Sequence, residues 1–120
     1  MPNVHKLKKG WEFDQIFRTG IKVNGELVRL LYLKEDSDLI KFGCAVGKHQ
    51  GKAHIRNRGK RILREAFRQL ANEIIPGLQI VLSLKDKGLD SKTQEIHREL
   101  FKLLRRRNLL LSCYPVSQSH

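Results

Sequence analysis

No stretch of this chain stays apolar for anything near the roughly 18 residues that a membrane-spanning helix needs. Residues 1–10 are basic but have no apolar run behind them, so a secretory leader is not expected either. Cysteine is nearly missing. Cys44 and Cys113 lie far apart, outside any CxxC pair or Cys/His cluster, which argues against both a zinc site and a disulfide framework. Cys44 falls in an apolar stretch and reads as a small buried residue, and the expected setting is the reduced cytoplasm. Carboxylates are the third scarcity: 12 Asp and Glu stand against 24 Lys and Arg, a formal net charge of +12. They are also scattered, with Glu12 and Asp14 in one place, Asp36 and Asp38 in another, and Glu65 in a third. A free-standing nuclease gathers carboxylates around metals or uses a histidine pair for acid–base work, and neither pattern is visible. A positive surplus this large predicts attraction to a polyanion instead. With no membrane segment in view, nucleic acid is the expected partner.

What is present suits one domain: 40% of 120 residues are hydrophobic and only three prolines interrupt them. Lys6, Lys8 and Lys9 read as a solvated basic arm. Phe13, Ile16 and Phe17 recur at helical spacing over residues 11–18, Gly20 ends that helix, and Trp11 is assigned to packing. Residues 21–23 predict a short strand, with Asn24-Gly25 as a hairpin turn behind it. Residues 27–33 are apolar except for Arg29, the pattern of a covered strand; Arg29 points either into a cleft or to solvent. Ile40, Phe42, Cys44 and Val46 alternate, marking another strand. A polar loop over residues 47–52 leads into a helix over 53–75, stopped by Pro76-Gly77, and residues 79–84 form a further strand. Ser91 with Gln94 is a capping-box start for a last helix to Arg107, with Ile96, Leu100, Leu103 and Leu104 on one face. The expectation is an α+β fold, an α/β sandwich with a four-stranded mixed sheet and three helices in the order α-β-β-β-α-β-α. One domain over residues 1–107 is followed by a flexible tail over 108–120, in which residues 109–111 offer a packing segment and Pro115 disfavours regular structure.

The central helix carries the functional signal. At about 100° per residue, Ile55, Ile62, Leu63, Ala66, Phe67, Leu70 and Ile74 fall in an arc of roughly 140°, an ordinary core-facing stripe. Gly59 falls inside that arc, where it either lets the helix approach the sheet closely or costs about 1 kcal/mol of helix propensity. On the far side Lys60, Arg61, Arg64 and Arg68 crowd together with Asn57, while Arg58 lies to one side and Arg56 at the margin. Residues 47–68 hold eight basic residues (Lys48, Lys52, Arg56, Arg58, Lys60, Arg61, Arg64, Arg68) and one acid, Glu65. A merely solvated face interleaves signs at i,i+4 and gains a few tenths of a kcal/mol per pair, roughly. Here Lys60/Arg64 and Arg64/Arg68 repel. That cost makes sense if a polyanion neutralises the face. Arginine dominates it, and guanidinium forks both grip phosphate with paired hydrogen bonds and stack on bases.

The run Gly47-Lys48-His49-Gln50-Gly51-Lys52-Ala53-His54-Ile55-Arg56-Asn57-Arg58-Gly59-Lys60-Arg61-Ile62-Leu63-Arg64-Glu65 resembles the signature of the bacterial ribonuclease P protein subunit. A glycine–lysine loop, Arg-Asn-Arg, Lys-Arg and Arg-Glu follow one another at that family's spacing. The Phe13/Phe17 spacing and the element order extend the resemblance over residues 7–104. Three positions depart from the pattern: Gly47 where serine is common, His49 where a second basic residue is usual, and Gly59 where the family has an apolar residue.

The resemblance implies an RNA-binding subunit of an endoribonuclease that removes the 5′ leader of precursor tRNA, with the catalytic centre in the RNA. It implies no catalytic residue and no cofactor in the protein, the RNA being what requires magnesium. It implies that Arg56, Asn57, Arg58, Lys60, Arg61, Arg64 and Arg68 meet the catalytic RNA. Phe13, Phe17, Lys48, Lys52 and Lys85 would hold the leader of precursor tRNA, in a cleft between the sheet and the first helix. A left-handed β-α-β crossover through the basic helix is also implied. On the residues alone, Phe13 and Phe17 are core or a base-stacking platform. His49 and His54 read as RNA contacts rather than acid–base groups. No stable protein partner and no membrane association are expected. The main alternative is a ribosomal or other structured-RNA-binding protein. A free-standing nuclease follows, and a major-groove DNA binder ranks last, for want of a helix-turn-helix or a dimer seam.

Overall fold

Two-residue alternation along the strands gives a single mixed sheet two different faces. The computed structural model describes residues 4–113. Its strands are β1 (Val4–Lys6), β2 (Ile21–Asn24), β3 (Val28–Lys34), β4 (Ile40–Ala45) and β5 (Leu78–Leu84), in the spatial order β1-β4-β5-β3-β2. The expected β2–β3 hairpin forms, but Asn24 is its last paired residue, opposite Arg29, and the Gly25 N–H bonds the Val28 carbonyl, so the chain turns at Glu26-Leu27 rather than at Asn24-Gly25; β3 is antiparallel to β5. Strand β4 runs parallel to both β1 and β5. Val28, Leu30 and Tyr32 of β3 share one buried face with Ile80 and Leu82 of β5, beneath the helices α2 (Ala53–Leu70) and α3 (Thr93–Arg106). Leu31 and Val81 turn the other way and pack with Leu7 and with Ile16 of α1 (Gly10–Thr19). The molecule is thus a sheet with α1 on one side and α2 and α3 on the other.

The sheet has five strands where four were expected. Residues 4–6 carry no apolar alternation, and all three are exposed; they pair through the backbone with Ile40, Lys41 and Phe42. The α+β class is unchanged. Helix α2 also stops at Leu70, short of residue 75: Ala71–Glu73 is a 3-10 turn, and Ile74 forms a bridge with Leu110. Ile74 keeps its buried place while leaving helical geometry, so the apolar stripe outlasts the helix.

Helix α3 begins one residue later than its sequence signal. Glu95 Oε1 accepts the Lys92 N–H at 2.9 Å, so Glu95 rather than Gln94 closes the first turn. The flexible tail does not start at residue 108, because Leu109 and Leu110 are 1% and 0% exposed. Pro115 and the rest of the tail lie outside the described residues. Trp11 is not a packing residue either: 61% of it is exposed. Gly59 has a clear role. A Cβ there would stand 2.9 Å from Leu84 Cδ2 and 3.4 Å from Val46 Cγ2, so the glycine lets α2 lie close on the sheet.

Candidate nucleic-acid interface

The buried stripe of α2 runs through Gly59, Ile62, Leu63, Ala66, Phe67 and Leu70, which turns the opposite side outward. Asn57, Arg58, Arg61, Arg64 and Arg68 are exposed there, and Arg56 and Lys60 are half-buried. The only ion pair among the described residues that takes a cation from this ridge is Arg68 with Glu65. Arg58 Nη1 donates to the Leu89 carbonyl at 2.9 Å, which ties that side chain to the β5–α3 connection. Among the described residues, Arg61 and Arg64 form no ion pair. Arg56 Nε is covered yet has no hydrogen-bond partner.

The helix start adds to the same field. Lys52 is the N-cap without a side-chain cap bond, and no acid stands in the first turn. The positive end of the helix dipole therefore coincides with Lys48, Lys52 and His54, all exposed, an arrangement suited to a phosphate group.

A groove of about 820 Å³ opens where the β2–β3 hairpin meets the ends of β4 and β5 and the loops that follow them, with Phe17 as its one residue from α1 and Lys60 as its one residue from α2. Phe17, Arg29, Lys60 and Lys85 line it, together with Ser83 and the loop residues His49 and Gln50. Its walls are held by specific bonds. Gln50 Nε2 donates to the Leu84 carbonyl and to Asp86 Oδ1, both at 2.9 Å, and Lys85 Nζ donates to the Gly25 carbonyl at 2.6 Å. Arg29 Nε donates to Asn24 Oδ1 at 3.0 Å, so Arg29 faces the groove while anchored at its base. The hairpin itself is clasped from α3: the Glu99 carboxylate accepts the N–H groups of Glu26, Leu27 and Val28 at 3.0, 2.8 and 2.8 Å.

The residues expected to hold a leader do not all gather here. Phe17 and Lys85 line the groove, whereas Lys48 and Lys52 lie outside its walls. Phe13 is turned elsewhere, its ring over Gly43, where a Cβ would approach Phe13 Cζ to 2.5 Å. His49, Lys60 and Lys87 join the groove without having been singled out for it, and Arg29, which the sequence left open between a cleft and solvent, lines it as well. For Arg29 a signal existed, because alternation puts it on the α1 side of β3 with Leu31.

Two titratable groups are shifted by their surroundings. The N–H groups of Lys9 and Lys8 both bond Glu12 Oε1 at 3.0 Å and hold its carboxyl below the usual range. Cys44 is half-buried rather than enclosed, with Sγ 3.8 Å from the Lys60 carbonyl. Burial pushes its thiol up to about 12 against the pull of Arg64 and Lys60, which keeps it protonated at neutral pH. Among the described residues, no three His, Cys, Asp or Glu side chains gather as metal ligands would. No helix there is long and apolar enough to cross a membrane.

Comparison with known proteins follows the same lines. The sequence model of the Ribonuclease P family matches residues 1–108. The ribonuclease P protein component of Oceanobacillus iheyensis is 34% identical over 111 residues, covering 92% of each chain. That of Geobacillus thermodenitrificans is 29% identical over 107 residues, covering 88% of each. Among solved structures, the RNase P protein from Thermotoga maritima superposes with a TM-score of 0.76 at 29% identity, over 85% of this chain and 96% of that one. The Staphylococcus aureus RNase P protein shares the fold at the same TM-score of 0.76 and 24% identity, over 88% of this chain and 96% of the other. With the basic signature exposed along α2 and the family match reaching from one end of the described domain nearly to the other, this chain belongs to the ribonuclease P protein family.

Proposed function

We propose that the chain is the RNA-binding subunit of ribonuclease P, seated on the catalytic RNA through α2 and holding the 5′ leader of precursor tRNA in the Phe17 groove. The observation that carries this reading is the unneutralised ridge: Arg61 and Arg64 stand exposed and form no ion pair among the described residues. Like charges at such spacing weaken a helix in isolation and become favourable against phosphates. Arg56, Asn57, Arg58, Lys60 and Arg68 complete the surface offered to the catalytic RNA, with Lys48 and Lys52 at its edge.

Cleavage chemistry falls to magnesium ions held by that RNA. The protein's part is electrostatic and positional: it lowers repulsion between two polyanions and fixes the leader. Phe17 offers a ring to an unstacked leader base, and Lys85, Arg29 and Lys60 supply charge around it. The cytoplasm is where both RNAs would be met. A general structured-RNA binder would need the same charge but not this groove beside α1.

Reconstitution with the catalytic RNA of the same organism tests the reading. At low magnesium, adding the protein should raise precursor-tRNA processing strongly, and the RNA-free protein should cleave nothing. Equal rates with and without protein would remove the assignment. Phe17→Ala should then weaken binding of leader-bearing substrate by roughly tenfold, the scale of one lost base–aromatic stack, with affinity for mature tRNA unchanged. A variant that unfolds instead would show Phe17 to be a core residue.

A further inference from the structure

A second groove, of about 540 Å³, runs beneath the other flank of α2, along the open edge of β4. Its rim is cationic: Lys6 comes from β1, and Lys60, Arg61, Arg64 and Arg68 come from the helix. Glu65 is the one acid on it, and that carboxylate is already bonded to Arg68. Its floor is apolar, formed by Leu7, Phe13 and Phe42, with Phe67 stacked on Phe42 at 3.8 Å between ring centroids. Phe13, displaced from the Phe17 groove, belongs here.

The strand edge supplies hydrogen-bonding groups as well. β1 pairs with Ile40, Lys41 and Phe42 only, and the Leu7 N–H reaches the Phe42 carbonyl at 3.0 Å. Past that point no described strand continues alongside β4. By two-residue alternation, the N–H and C=O of Cys44 point to the same edge as those of Phe42. A cationic rim, an apolar floor and an amide edge together describe a site for a phosphate carrying an exposed base.

We propose that this groove takes one unpaired nucleotide of the catalytic RNA, its base against the apolar floor and its flanking phosphates on Arg61 and Arg64. The inference rests on the ribonuclease P reading and sharpens it. A duplex would touch the ridge through its phosphates and leave the floor unused, because base edges of A-form helices are not readable in the deep groove. An extruded base uses both. The volume lies within the roughly 300–1,000 Å³ of small-ligand sites. The catalytic RNA is the source rather than the leader, because four of the groove's five cations, Lys60, Arg61, Arg64 and Arg68, come from the ridge assigned to that RNA, whereas Lys60 alone of that ridge lines the Phe17 groove. The two grooves adjoin only at Cys44 and Lys60.

The test is base-resolved chemical probing of the holoenzyme, with dimethyl sulfate for A and C and a carbodiimide for G and U. Val4 lines the groove and is 38% exposed on an edge strand, so Val4→Trp fills the floor without removing a charge. Wild-type protein should protect a base of the catalytic RNA that is unpaired in the free RNA, and Val4→Trp should expose that base again. RNA affinity should fall roughly tenfold with the slope of binding against salt unchanged, since no phosphate contact is lost. Should Val4→Trp fail to fold, as judged by its melting curve, Phe13→Leu tests the same base. Absence of any base protected by wild type and released by the variant overturns the inference, as does finding the released base in the leader. Failure of the wild-type protein to bind the catalytic RNA at all would remove the functional reading itself; salt-dependent binding without the protected base would remove only this one.

Discussion

Replacing Arg61 and Arg64 together by alanine is expected to weaken assembly with the catalytic RNA by at least about 100-fold at ~0.1 M monovalent salt, without lowering the melting temperature. Both guanidinium groups stand exposed on α2 and form no ion pair among the described residues. Each is free to make charge-assisted bonds to phosphate, worth about 1.5–3 kcal/mol where such bonds form. Losing two phosphate contacts should also reduce the slope of log affinity against log salt by about 2. Stability should move the other way. Arg64 repels Lys60 and Arg68 at i,i+4, so its removal relieves a few tenths of a kcal/mol, roughly, and alanine is the better helix former. Opposite signs in binding and stability separate a functional surface from a structural one. Arg58 is a poorer probe because it also bonds the Leu89 carbonyl, and Arg68 because Glu65 holds it. Filter-binding titrations at several salt concentrations, beside thermal melts, measure both quantities. An unchanged salt slope would mean that these two side chains never meet phosphate.

The middle of α2's inner side was legible for a simple reason, although Ile55 is only half-buried and Ile74 lies past the helix end. Ile62, Leu63, Ala66, Phe67 and Leu70 recur at the helical period, and all are buried. Its outer side was legible as charge, but its freedom was not, because pairing depends on which acids the fold brings near. Of those, Glu65 alone reaches the ridge, and it reaches only Arg68. The two phenylalanines show where periodicity stops informing. Phe13 and Phe17 are one turn apart on α1 and both pack against the Leu7, Ile16, Leu31 and Val81 cluster, yet they border different grooves, Phe13 over Gly43 and Phe17 over the walls of the first. What divides them is the surface beneath the helix, which a helical wheel does not contain. β1 was illegible because it holds its place through backbone bonds with all side chains exposed. Leu109 and Leu110 were visible as apolar residues, but their burial depends on the docking of residue 110 against Ile74, a contact between distant positions.

Glu99 marks the same boundary, and the result expected for Glu99→Ala is a loss of about 2–3 kcal/mol of stability together with a weakened preference for leader-bearing substrate. Nothing in the sequence of α3 links this residue to the β2–β3 hairpin. In the fold its carboxylate accepts three successive backbone N–H groups, those of Glu26, Leu27 and Val28. Gly25 leaves room for it: a Cβ there would stand 2.5 Å from Glu99 Oε2. Without the carboxylate, water can reach the partly exposed donors, so the cost stays below the sum of three charge-assisted bonds. At this chain length it corresponds to a fall in melting temperature of about 10 °C. Glu99→Gln should fall between, since an amide keeps one acceptor oxygen but turns an NH₂ group toward the donors. The functional effect follows from position. The hairpin carries Gly25, Glu26 and Arg29 into the Phe17 groove, and Lys85 Nζ is bonded to the Gly25 carbonyl. Loosening that wall should reduce the ratio of affinities for precursor over mature tRNA while leaving catalytic-RNA binding and its salt slope intact, because α2 is not touched. A Glu99→Ala protein that melts with the wild type would show that the clasp does not anchor the hairpin. If catalytic-RNA binding fell along with leader preference, the two surfaces would not be independent, and the division of labour between α2 and the Phe17 groove would have to be abandoned.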